Sequence, residues 1–183
     1  MFPFDAQGRT SPLAATMLLR LFGLFKIPMV FHLRPSILVW TGQRCVLRLR
    51  LNRRSKNQLG SMYFAALAAG ADLAAGFFSI AAIRASGKPV SMVFKNVSAD
   101  FLKRADGDVH FICDDGELIA ALVNKTLATG QREEAPVHVV ATVPDKHGEE
   151  PVATFAMTLS VKKVAKVAKV AKSSQTPQAK KVG

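Results

Sequence analysis

Asn57-Gln58-Leu59-Gly60-Ser61-Met62-Tyr63-Phe64-Ala65 runs into an alanine-rich, almost wholly apolar stretch that ends near Ile83, and one acid, Asp72, stands in its middle. The pattern predicts a loop feeding a single long helix. At 3.6 residues per turn, Ala65, Ala68, Ala69, Asp72, Gly76 and Ser79 share one narrow stripe. Phe64, Leu67 and Phe78 fall on one flank of it, and Leu73, Phe77 and Ile80 on the other. Such a helix has bulky sides to bury and a small-residue seam where another backbone can come close, with Asp72 on the seam. A carboxylate is costly among apolar side chains unless it is paired or used. Length alone would allow a transmembrane span, but alanine is a weak hydrophobe and a central Asp opposes insertion. A core helix with a satisfied Asp, or a helix wrapped by a sheet with its acid turned to a partner subunit, fits the pattern better.

The segments around it favour a sheet. Ile37 to Trp40, a Thr41-Gly42-Gln43 turn and Cys45 to Leu51 read as a hairpin with Leu47, Leu49 and Leu51 facing in. After a break at Gly87-Lys88-Pro89 come strands at Val90 to Phe101 and Val109 to Cys113. A short helix follows from Glu117 to Leu127, and a last hairpin pairs Val137–Val143 with Val152–Val161 about a turn at Asp145 to Gly148. Ser11-Pro12 is a helix-opening pair, and Leu13, Met17, Leu21, Leu24 and Phe25 recur at helical spacing behind it. That spacing suggests packing across the sheet or against a partner, or, more remotely, a basic amphipathic helix on a membrane surface. Pro28 and Pro35 bracket an expected linker.

The chain has 183 residues and carries a net charge of +12, but Lys162 to Gly183 holds seven lysines and no acid, so the remainder stands at +5. The lysine-rich end repeats every three residues, gives no fixed apolar face and reads as a disordered tail. Contact with nucleic acid or an acidic membrane through it would rest on charge alone. Three regions result: an N-terminal helix and linker (1–34), a folded domain (35–162) and the tail (163–183). Cys45 and Cys113 lie in strands and read as reduced structural thiols, and no metal-ligand spacing is present. With no secretory signal at Met1 to Asp5, a cytoplasmic protein is expected.

Two strands, a long helix and at least four further antiparallel strands make an α+β layout in which one sheet wraps one helix. With the loop residues, this resembles the hotdog-fold acyl-CoA thioesterase superfamily, in its phenylacetyl-CoA thioesterase-like branch, and most nearly an uncharacterised hotdog-domain group. The likeness covers roughly Ile37 to Lys162. That branch carries Asn-x-x-Gly-Thr-Leu-His-Gly-Gly, followed by an acid seven residues after the last Gly. Here Asn57 to Ala65 and Asp72 hold the matching positions, with Tyr63-Phe64-Ala65 in place of His-Gly-Gly.

The resemblance implies an acyl-CoA thioesterase working as a homodimer or tetramer, with no cofactor beyond the coenzyme A of its substrate. Asp72 would be general base or nucleophile and the Ala65 backbone N–H the oxyanion donor. Asn57 and Ser91 would orient water or carbonyl, and Gly60, Ser61, Tyr63 and Phe64 would line the substrate site. Arg53 and Arg54, with Lys56 and Lys88, are candidates for the phosphates. The alternative reading is a non-catalytic hotdog module that binds acyl-CoA or fatty acyl groups, or an oligomeric scaffold.

Overall fold

In the computed structural model, which describes residues 11–164, eleven elements follow in the order α1 (Pro12–Lys26), α2 (Pro28–Leu33), β1 (Ser36–Trp40), β2 (Cys45–Leu49), α3 (Phe64–Ser86), β3 (Val90–Phe101), β4 (Val109–Cys113), α4 (Gly116–Thr129), β5 (Glu133–Thr142), α5 (Pro144–His147) and β6 (Pro151–Lys163). The six strands form one antiparallel sheet in the order β1-β2-β4-β5-β6-β3, wrapped about α3. This is the expected hotdog architecture. The lysine-rich stretch beyond Val164 lies outside the described residues.

The helix α3 is long and apolar enough to cross a bilayer, yet 67% of its apolar window is buried inside the protein, against the sheet and α4. Leu67, Leu73, Phe77 and Phe78 are buried, with Phe77 and Phe78 each 4.7 Å from the Trp40 ring. Inner residues of the strands, among them Leu47, Leu49, Val109, Phe111, Val139 and Leu159, complete the core. At Gly70 the helix lies close on the sheet, since a Cβ there would overlap Cε2 and Cζ of Phe111. Cys45 and Cys113 face each other across β2 and β4 as free, buried thiols. Burial pushes the Cys113 thiol up to about 12 and raises Cys45 as well, which leaves both unreactive near neutral pH.

Three expectations are corrected. The segment between Pro28 and Pro35 is the short helix α2 rather than a linker, because Pro28 sits at its first position, where a missing N–H costs nothing. The turn at Asp145 to Gly148 is largely a one-turn helix, α5, opened in the same way by Pro144. In α1 the cap is as read, with Ser11 accepting from the Ala14 N–H, but its bulky residues do not pack across the sheet, which leaves a partner or a membrane surface as the readings of its spacing. Its buried residues are Ala15, Thr16, Leu19 and Gly23, and Leu13, Met17, Leu21, Leu24 and Phe25 are exposed. The small residues win that side because backbone must approach closely there. Thr16 Oγ1 accepts from the Ile37 N–H at 2.8 Å, and a Cβ on Gly23 would press on the Phe31 nitrogen at 2.8 Å.

Candidate functional site

The Asn57-to-Ala65 loop is built to present the start of α3. Asn57 Oδ1 accepts from the N–H groups of Leu59 (2.9 Å) and Ser61 (3.2 Å), and Asn57 Nδ2 donates to Ser61 Oγ (3.1 Å). Gly60 closes this turn at φ +81°, where a side chain would be strained. Ser61 is buried, so Asn57, Gly60 and Ser61 form one bracket. Two further bonds fix the exit: Met62 N–H to the Ala105 carbonyl (2.8 Å) and Tyr63 N–H to the Ser55 carbonyl (2.7 Å).

Tyr63 is the N-cap of α3 without a side-chain cap bond. Its carbonyl takes the N–H groups of Ala66 (2.9 Å) and Leu67 (3.1 Å). Phe64 and Ala65 are left with the N–H groups that a helix start cannot satisfy internally. These donors point out along the axis, where the helix dipole favours negative charge.

From that end the open line of α3 runs through Phe64, Ala65 and Ala68 to Asp72, whose side chain reaches solvent. Among the described residues, no side-chain donor is bonded to Asp72. The apolar atoms packed around it desolvate the carboxylate and hold its pKa above the ordinary value of 3.8. The rest of the stripe turns inward, as Ala69, Gly76 and Ser79 are buried. Phe64, expected on a buried flank, is instead 58% exposed and lies edge to face with Tyr63, the ring centroids 5.1 Å apart.

The edge strand β3 flanks this line. Val90, Met92 and Phe94 pack toward the core, and a bulge between Phe94 and Asn96 shifts the register. Beyond the bulge Val97, Ala99 and Phe101 stand opposite Met157, Phe155 and Ala153 and so face inward. Val97 and Phe101 nevertheless remain 59% and 51% exposed. An uncovered apolar strip therefore lies on the inner face of the sheet beyond the reach of α3.

The structure brings Asn57, Gly60, Ser61, Tyr63, Phe64 and Ala65 together at the mouth of α3, with Asp72 two turns further along. It does not bring Ser91 to them. Ser91 pairs with Lys162 on the face of β3 opposite Met92, so its side chain is directed away from α3. Side chains alternate along a strand, and a displacement of one residue decides the face. Arg53 is exposed in the loop before Asn57, and Arg54 lines a separate cleft with Arg20, Arg34 and Arg50. Among the described residues, no His, Cys, Asp and Glu cluster could hold a metal ion.

A family model described as a domain of unknown function, DUF4442, matches residues 15–161. The chain belongs to the DUF4442 family. No curated protein matches it. Solved structures resemble this DUF4442 chain at low identity and agree in fold. A Pseudomonas aeruginosa protein of unknown function, described as a probable thioesterase, shares 23% identity at a TM-score of 0.67, covering 81% of this chain and 96% of its own. A Chlorobaculum tepidum protein with unknown function aligns at 14% identity and a TM-score of 0.71, covering 84% and 97%. A Haemophilus influenzae thioesterase aligns at 14% identity and a TM-score of 0.58, covering 86% and 94%. In the DUF4442 chain sequence reasoning also missed the β3 bulge and the buried small-residue side of α1, besides α2, α5 and the direction of Ser91. Hydrophobic spacing alone carries no signal for the bulge or for close backbone approach.

Proposed function

We propose that this protein hydrolyses acyl-CoA thioesters at a site shared between two subunits of a homodimer. The observation that carries the reading is an unpartnered, desolvated Asp72 carboxylate on the open line of α3, behind free N–H donors at the start of the same helix. Seven residues at 1.5 Å each put Asp72 about 10 Å from Ala65 along the axis. One carbonyl cannot touch both groups of one helix. A second copy, whose α3 runs alongside in the opposite sense, would set its Asp72 against the Ala65 N–H of the first. The uncovered strip of Val97 and Phe101 and the open β3 edge favour such a copy as cover.

In this arrangement the ionised Asp72 takes a proton from water, whose oxygen attacks the thioester carbon. The oxyanion that forms accepts from the Ala65 N–H. Collapse breaks the C–S bond, protonated Asp72 returns its proton to the departing sulfur so that coenzyme A leaves as its thiol, and the carboxylic acid product loses its proton to solvent. Asp72 attacking directly as nucleophile reaches the same products through an anhydride that water then opens. Asn57 shapes the loop that aims the donor, and Arg53 stands on the loop side where the phosphates would lie, whereas Arg54 belongs to the separate cleft. Ser91, facing the other way, has no part in the step.

The exposed Tyr63–Phe64 pair favours a second reading in which the site holds an apolar acyl group without turning it over. Thiol release from a panel of short, medium, long-chain and aryl acyl-CoAs separates the two. Release with a defined chain preference is expected. Thermal stabilisation by the same panel with no release would support the binding module instead.

The dimer has its own test. Lysine at both Val97 and Phe101 would place two cations on the strip to be covered. Analytical ultracentrifugation is expected to show the variant as monomer at concentrations where the wild type is a dimer, with association weakened by at least about 100-fold. An unchanged dimer would place the interface elsewhere.

A further inference from the structure

The outward side of α1 and the arginine cleft beside it belong to no part of the proposed site. The solvent face of α1 is apolar up to Lys26 in its last turn, with Leu13 72%, Met17 58%, Leu21 49%, Leu24 45% and Phe25 76% exposed. Met29 at the start of α2 extends it at 57%. An exposed helix ordinarily turns such residues inward, and a contiguous patch of this kind marks an interaction surface. It lies at the β1 end of the sheet, whereas the edge proposed for the dimer is β3 at the other end. The β3 contact therefore leaves it uncovered.

A cleft of about 350 Å³ adjoins this face, lined by Arg20, Leu33, Arg34, Arg50, Asn52 and Arg54, with no acid among them. Arg20 is one helical turn from both Met17 and Leu24, so the cleft opens beside the apolar face. Its guanidinium is held at the cleft wall by the carbonyl of Pro35 (2.9 Å) and the hydroxyl of Ser36 (3.0 Å). Burial lowers its pKa, and the charged neighbours Arg34, Arg50 and Arg48 add to this by repulsion. Arg34 occupies the left-handed C-cap of α2 at φ 51°, a place that glycine fills without strain. Like charges gathered around one cleft, one of them on a strained backbone, make it complementary to an anion.

We propose that the outward face of α1 and α2 docks on an anionic lipid surface, with the arginine cleft receiving a headgroup phosphate. Leu21, Leu24, Phe25 and Met29 enter the acyl boundary while the guanidinium groups stay at headgroup level. A membrane answers both features at once. A second copy of this chain would answer the apolar face but would bring a second set of arginines toward the first.

The test is co-sedimentation of the full chain with phosphatidylcholine vesicles, with and without phosphatidylglycerol. Wild type is expected to bind the mixed vesicles and not the neutral ones. Leu21→Glu/Phe25→Glu should lower binding by about 100-fold. Arg34→Gly should lower it by about fivefold while raising the melting temperature by about 2 °C, since strain is relieved. That opposite movement separates a binding role from a structural one. Equal binding to neutral vesicles, full binding by the Leu21→Glu/Phe25→Glu variant, or competition by millimolar glycerol phosphate that leaves nothing on the vesicles would each overturn the proposal. So would a fall in oligomer mass for that variant without lipid, which would assign the face to a second copy. Thioester hydrolysis in solution is read in parallel: docking can fail while hydrolysis stands, and the reverse.

Discussion

Asp72→Asn is expected to lower kcat for thioester hydrolysis by about 10²–10⁴-fold with little change in KM. The substitution keeps the size and position of the side chain and removes the basic oxygen alone. Nothing in the described structure holds Asp72 in place through a hydrogen bond, so its loss frees no partner. The pH dependence carries the sign of its environment. Desolvation favours the protonated form, so activity that needs the carboxylate falls away as pH drops through a pKa above the ordinary 3.8. Stability runs the other way. In the unfolded chain the group ionises first, and folded-state stability is lost as pH rises from 3.8 towards the raised folded value. Above that window Asp72→Asn is expected to melt higher than wild type, by about 1–2 °C because solvent exposure blunts the effect. Below 3.8 the two should coincide. A variant that hydrolyses as fast as wild type, or that melts lower at neutral pH, would contradict the role given to Asp72.

The largest stability effect is expected where α3 meets β4. Phe111 is fully buried, and Gly70 leaves room for its ring. Phe111→Ala should cost about 3–5 kcal/mol, about 10 °C or more in melting temperature. Gly70→Ala should cost about 1–3 kcal/mol through overlap with the ring, although alanine is the better helix former by about 1 kcal/mol. In the Phe111→Ala background the overlap is gone and the same change should stabilise. The double-mutant cycle is therefore expected to show a coupling of about 2–4 kcal/mol, measured by urea or thermal unfolding. Additive effects would mean that Gly70 is not set by this ring.

Much of the fold could be read from period and punctuation. Val90 to Phe101 and Val109 to Cys113 coincide with β3 and β4 because Pro89, the Asp106-Gly107 turn and Asp114 bound them sharply. The loop-to-helix junction was legible because Asn57, Gly60 and Asp72 keep their spacing from one another. Side-chain direction was less so. In α1 the expectation followed bulk, whereas Thr16 and Gly23 are buried by close backbone approach, which hydrophobic spacing does not report. At Ser91 the displacement of one residue reversed the face. On β3 the bulge returned Val97 and Phe101 to the inner side, and no residue in Phe94-Lys95-Asn96 announces it. The shared site proposed above is harder still to read, since the free N–H groups and Asp72 belong to one helix and would meet on one substrate only across two subunits.

The central claim is that Ala65 of one subunit and Asp72 of the other act on the same thioester, and mixed dimers test it directly. Ala65→Pro removes the N–H in the first helical turn, where proline is tolerated, and Asp72→Asn removes the base. Each variant alone is expected to be inactive. Unfolded together and refolded, half of the dimers carry one of each chain, and each of those holds one intact site. The mixture should recover about a quarter of wild-type thiol release. Activity that stays at the level of the separate variants, although mixed dimers have formed, would contradict a site built across the subunits.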